Sequence, residues 1–289
     1  NKVDEIMIDL DGTENKKRLG ANAILSVSLA INKANAISKD ISLYENIGNG
    51  KTLPMPLMNI INGGAHANNS LRIQEFMIRP DKAQTFKEAI NICFLVIQKL
   101  KILINNKNLS TTVGDEGGFA PALPNNEVAI EFIIEAINKA GFEPGKDVCV
   151  CLDVAANELF KDKKYAINSP QYISSNKTIE YYLNLIKKYP IKSIEDPFFE
   201  EDWSSWIELT KSVNENIQIV GDDLFVTNEK RLSDGIKKKA GNAILIKPNQ
   251  IGTLTETLKV INLAHENNYK TIVSHRSGDT EDTFIADLA

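Results

Sequence analysis

The chain has 289 residues, 43% of them apolar, enough for one large domain or two small ones around a substantial core. Its formal net charge of −5, with basic residues scattered along the chain, gives nucleic-acid binding no electrostatic support. No stretch is long and apolar enough to span a bilayer, and no signal-peptide pattern is read, although the chain opens at Asn1 rather than Met. The three cysteines, Cys93, Cys149 and Cys151, have neither disulfide-framework nor zinc-site spacing. Cys149 and Cys151 alternate within an apolar run and read as buried strand residues, which fits a reducing, cytoplasmic compartment.

In chain order, residues 19–38 (LGANAILSVSLAINKANAIS) carry Ala, Leu and Ile at helical spacing and predict a helix or helix pair. The segment ISLYENIGNG then breaks into Gly and Asn, which places a domain boundary near residues 46–53. Beyond it, short apolar runs alternate with longer helical stretches. The runs are PMPLMNII, QEFMI, VCVCLDV, IKSIEDP, IQIVGDD, NAILIKP and KTIVSH. The intervening helices include FKEAINICFLVIQKLKILI, EVAIEFIIEAINKA, IEYYLNLIKKY and LTETLKVINLAHENN. Continuous apolar strands alternating with amphipathic helices predict a parallel sheet covered by helices. The repetition suits a β/α barrel better than a doubly wound sheet, and no dinucleotide fingerprint follows any strand. The run Lys237-Lys238-Lys239 reads as a solvated helix face.

The strand ends carry the chemistry. Asp153, Glu195, Asp222, Lys247 and His275 each close a run, and from Glu195 onward they recur every 25 to 28 residues, about one β/α unit. Strand ends in a barrel converge on one mouth, where active sites lie. Any one of these residues alone reads as an ordinary polar strand end. Five in step need a reason for gathering charge, and a bound dication supplies one. Asp153, Glu195 and Asp222 form an all-oxygen set suited to Mg²⁺. A lysine held out of water beside a cation sheds its proton more readily and then serves as general base, the role open to Lys247.

Two glycine-rich loops accompany these ends. One is Asn62-Gly63-Gly64-Ala65-His66, followed by Gln74-Glu75-Phe76. The other is Gly114-Asp115-Glu116-Gly117-Gly118-Phe119. A lone Gly-Gly is usually a plain turn. Glu116 has glycines on both sides, and a carboxyl kept protonated there would be a general acid. In Ser274-His275-Arg276-Ser277-Gly278, arginine and neighbouring amides make an anion cradle, although a strand-end arginine alone is as often a surface ion pair.

Taken together, LDGTENKKRLGANAILSVSLA, NGGAHANN, QEFMIRP, VGDEGGFAP, CLDVAA, SIEDPF, VGDDLFVTN, ILIKPNQIGTLTET and SHRSGDTEDTFIADLA resemble the enolase family, and they cover the whole chain in order. The resemblance implies an α/β fold. An enolase-type β/α (TIM-like) barrel over 50–289, incomplete at its C-terminal end, would follow the helical part of a small α+β domain over 1–49. It implies reversible dehydration of 2-phosphoglycerate to phosphoenolpyruvate. Lys247 would be the base at C2, and Glu116 the acid at the C3 hydroxyl with Glu75 assisting. Asp153, Glu195 and Asp222 would hold the first of two Mg²⁺ ions. His66, Gln74, His275, Arg276 and Ser277 would be substrate contacts, the Arg276–Ser277 pair on the phosphate. A homodimer or higher homo-oligomer in the cytoplasm is also implied.

The family carries more chain on both sides: before Asn1 a mobile loop that helps hold the second Mg²⁺, and after Ala289 the last β/α unit. A chain of only these residues is expected to be poorly stable and inactive. Arg72 and Asn68 stand where the family favours acidic residues, and Pro248 after Lys247 is expected to be tolerated at a strand end. Two other readings stay open here: an acid-sugar dehydratase of the wider superfamily, and a non-catalytic relative.

Overall fold

A computed structural model describes residues 2–48 and 50–289. Asn1, and Asn49 at the expected domain boundary, lie outside the described residues. The chain opens with three helices, α1 (Lys2–Asp11), α2 (Ala21–Ser38) and α3 (Leu43–Ile47). Strands β1 (Met58–Asn62) and β2 (Glu75–Arg79) follow, then helices α4 (Phe86–Asn106) and α5 (Asn126–Lys139). After β3 (Cys149–Asp153) come three two-residue strands, β4 (Phe160–Lys161), β5 (Lys164–Tyr165) and β6 (Ile173–Ser174), and helix α6 (Ser175–Lys188). Next are β7 (Ile191–Glu195), α7 (Trp203–Ser212), β8 (Gln218–Gly221), α8 (Glu229–Lys238), β9 (Ala243–Ile246) and the short α9 (Pro248–Ile251). The chain closes with α10 (Leu254–Glu266), β10 (Lys270–Val273) and α11 (Phe284–Leu288). All seven apolar runs form strands. Residues 19–38 form one helix, not a pair, and α1 and the β4–β6 excursion were not foreseen. Among the described residues no helix is long and apolar enough to cross a membrane.

The chain divides into two compact units, Pro54–Asp223 and the two segments Asn1–Leu53 with Leu224–Ala289. In the Pro54–Asp223 unit the sheet runs β1-β2-β3-β7-β8. The parallel-sheet expectation holds for β3, β7 and β8, which are joined through the single helices α6 and α7. It fails for β2, which runs antiparallel to both neighbours. The cause is the connections. No α-helix lies between β1 and β2, so the chain simply turns back, while two helices, α4 and α5, lie between β2 and β3. Two lengths of helix return the chain to the end of the sheet it left, whereas one helix carries it back for a parallel start.

The helices cover the sheet with apolar faces. Helix α4 buries Ala89, Ile92, Cys93, Val96 and Leu100, and α5 buries Ile130, Ile133 and Ile137. Thr85 and Asn125 cap them by accepting the backbone N–H of Glu88 and Val128. On the face of the sheet that carries Glu75 and Asp153, Met77, Cys149 and Cys151 pack with Leu57. Both cysteines are free and buried, as the alternation indicated. Asp202, the N-cap of α7, accepts hydrogen bonds from the hydroxyls of Tyr165, Ser175, Ser204 and Ser205, which ties the β4–β6 excursion to α7.

The other unit joins chain segments far apart in sequence. Ser28 on α2 accepts the Leu254 N–H at 3.0 Å, and the buried Asp4 of α1 accepts the Thr255 N–H at 3.1 Å. Both contacts satisfy orphan amides at the start of α10. Lys16, 4% exposed, pairs with Glu256 at 2.8 Å. Strands β9 and β10 are parallel neighbours, and Lys237, Lys238 and Lys239 are exposed at the end of α8.

Candidate active site

One end of the β1–β8 sheet is a ladder of polar residues in register. Asn62 stands opposite Glu75, Glu75 opposite Asp153, and Asp153 opposite Glu195. Glu195 is in turn opposite Val220, two residues before Asp222. Directly opposed side chains on neighbouring strands have Cβ atoms about 5 Å apart, where like charges repel. Asp153, Glu195 and Asp222 are 6%, 9% and 8% exposed, so water relieves little of that repulsion.

Burial, and then the charges of Asp153 and Asp222, push the Glu195 carboxyl well above its usual range. Asp196 beside it is likewise pushed well up, by burial and then by Asp222 and Asp223. Asp196 has φ +41°, a strained setting for a non-glycine residue, and accepts the N–H groups of Asp222 at 3.0 Å and Asp223 at 2.8 Å. Asp153 accepts the Gln74 side-chain amide at 3.0 Å and the Ala155 N–H at 3.0 Å. Buried carboxylates crowded this way fit a hard dication with oxygen ligands. Candidate ligand atoms from Asp196, Asp222 and Asp223 already lie within 4.8 Å of one another.

The second gathering is His66, Glu75 and Glu116, whose ligand-type atoms also lie within 4.8 Å of one another. His66 Nδ1 is 3.3 Å from Glu75 Oε1, and Nε2 is 4.0 Å from Glu116 Oε1. The adjacent Glu75 carboxylate, opposed by burial and helped by the charges of Glu116 and Asp153, makes His66 hold its proton above the ordinary histidine range.

The glycines explain how two loops bring these groups together. Phe119, at the end of the 113–119 turn, pairs with β1, its N–H donating to Ile60 O at 3.0 Å and its O accepting the Asn62 N–H at 2.9 Å. A Cβ on Gly114 would fall 2.5 Å from His66 O, so only glycine lets the Glu116 turn approach the His66 turn.

In the other unit, Lys247 directly follows β9 and its N–H donates to the Thr227 hydroxyl at 2.9 Å. Pro248 opens α9 at a position where no amide partner is needed, which accounts for its tolerance. His275, Arg276 and Ser277 are exposed after β10, and the Arg276 N–H donates to Asp279 at 3.0 Å.

Of the sequence candidates, the structure gathers His66, Glu75 and Glu116, joins Gln74 to Asp153, and places Asp153, Glu195 and Asp222 on adjacent strand ends. Sequence reasoning passed over Asp196 and Asp223, although each follows a chosen acid directly in IEDP and VGDD. It also passed over Asn157, whose amide donates to Glu200 at 2.8 Å and Asp223 at 2.9 Å and has no sequence signal.

Two family descriptions cover the chain: "Enolase, N-terminal domain" over residues 1–47 and "Enolase, C-terminal TIM barrel domain" over residues 50–289. The chain belongs to the enolase family. A curated relative named Enolase, from Pelagibacter ubique, is 61% identical over 290 residues, spanning 100% of this chain and 69% of the relative. The fold class is accordingly that of the enolase barrel, and the activity that of a glycolytic enolase, a phosphopyruvate hydratase and hydro-lyase.

Proposed function

We propose that the residues above divide the dehydration of 2-phospho-D-glycerate to phosphoenolpyruvate among themselves as follows. A hydrogen beside a carboxylate is weakly acidic, and its removal puts a second negative charge on that carboxylate. Asp153, Glu195 and Asp222 would hold Mg²⁺, with Asp196 and Asp223 behind them. When bound, the cation supplies positive charge against the growing dianion, as is general for enolase-superfamily sites. Lys247 takes the C2 proton. Glu116 gives a proton to the departing C3 hydroxyl with Glu75 assisting, and His66 beside them contacts the substrate. Arg276 and Ser277 take the phosphate, and Gln74 and His275 complete the substrate contacts. A second Mg²⁺, a homodimeric or larger assembly, a cytoplasmic setting, and a domain division at residues 49 and 50 belong to the same reading.

The observation that carries it is the in-register run Glu75–Asp153–Glu195, backed by the His66–Glu75–Glu116 cluster. The experiment follows phosphoenolpyruvate formation from 2-phosphoglycerate with and without Mg²⁺, in the product of the whole open reading frame and in its Lys247→Ala variant. Mg²⁺-dependent turnover that collapses in the variant is expected. Turnover of sugar acids instead, or Mg²⁺ binding with no turnover, would overturn the reading.

A further inference from the structure

Asn62 is the one member of the polar ladder whose side chain has neither a charge nor a job in the scheme above. It is 0% exposed, and neither its Oδ1 nor its Nδ2 has a hydrogen-bond partner among the described residues. A buried amide left unpaired is costly, so a strand end would ordinarily carry an apolar residue instead. Its backbone is fully engaged, with N–H donating to Phe119 O at 2.9 Å and O accepting the Asn69 amide at 2.9 Å. The side chain supports the Glu116 turn from beneath. A Cβ on Gly114 would lie 2.8 Å from Asn62 Cβ, and one on Gly118 would lie 2.6 Å from Asn62 Oδ1. These two glycines close the turn through the Gly114 N–H to Gly118 O bond of 2.8 Å. Asn62 is also the cross-strand partner of Glu75.

We infer that Asn62 is a positioning residue for the acid step: its amide sets the height of the Gly114–Gly118 turn, and with it the Glu116 carboxyl above the leaving hydroxyl. The inference rests on Glu116 being the acid. It makes Asn62 matter for loss of the C3 hydroxyl and not for removal of the C2 proton, which Lys247 performs.

The test separates those two events in the whole open-reading-frame product with Mg²⁺. Exchange of the C2 hydrogen of 2-phosphoglycerate with deuterated solvent reports proton removal, and phosphoenolpyruvate formation reports the complete reaction. Asn62→Leu replaces the amide with two bulkier methyl groups against Gly114 and Gly118, and Asn62→Thr puts a smaller polar side chain there. Phosphoenolpyruvate formation is expected to fall about 10- to 100-fold in Asn62→Leu, as for partial loss of general-acid catalysis. KM and C2 exchange should stay within about twofold, and Asn62→Thr should recover part of the loss. Exchange and turnover falling together, or neither changing, would overturn the inference. Glu116→Gln is run alongside. If it retains phosphoenolpyruvate formation, the acid assignment itself fails, whatever Asn62 does.

Discussion

Replacing Glu195 by glutamine should make the metal-free protein more stable and the metal-loaded protein less so. Glu195 is buried and stands directly opposite Asp153, with Asp222 on the next strand end. Two carboxylates about 5 Å apart at an effective dielectric of about 20 repel by roughly 3 kcal/mol. Part of that is relieved because the group takes up a proton, so about 1–3 kcal/mol should return when the charge is removed at pH 8. For a chain of this size that is roughly 3–9 °C in melting temperature.

The sign follows from the direction of the shift. The Glu195 and Asp196 carboxyls are held well above their unfolded values. Their contribution is therefore intact below the unfolded carboxylate range and is lost as pH rises through the folded values. Metal-free protein should lose stability across that window, and Mg²⁺ should restore it. At 100 times its dissociation constant, Mg²⁺ adds about 2.7 kcal/mol. Thermal melts with chelator and with excess Mg²⁺, at several pH values, read all of this. A metal-free Glu195→Gln variant that melts lower than the parent, or one that keeps the full Mg²⁺ response, would refute the argument.

Three other outcomes are expected. Glu116→Gln should lower phosphoenolpyruvate formation by about 10²–10⁴-fold with a small change in KM, measured by steady-state kinetics. Asp202→Ala should cost about 1–3 kcal/mol in denaturant unfolding at pH 7, because it takes a half-buried carboxylate from four hydroxyl donors. Burial raises the Asp202 proton affinity, but the bonds from Ser205, Tyr165, Ser175 and Ser204 outweigh it and hold the carboxyl below its usual range. That stability is present above the unfolded carboxylate range and is lost as pH falls through the folded one, so the difference between parent and variant should shrink toward pH 3. Arg276→Lys should raise KM for 2-phosphoglycerate about tenfold while C2 exchange at saturating substrate persists, since a single ammonium replaces a two-pronged phosphate contact.

How far these expectations could be read from the residues alone depends on the range of the force behind each feature. Strand and helix periodicity is local, and every apolar run emerged as a strand. Strand direction is not local. QEFMI reads like any parallel strand, and only the absence of an α-helix before it and the two helices after it reverse β2. The acids were legible because a charge at the end of an apolar run demands compensation, wherever it lies. Asp196 was not, because its part depends on φ +41° and on receiving two N–H groups from the next strand's end. Asn62 was hidden further still. In sequence it is the polite first letter of a glycine turn, and only the packing of Gly114 and Gly118 against its side chain shows an unpaired amide under the acid. The charged residues of this site announce the chemistry, whereas the neutral ones that hold it in place become visible only when the distances are known.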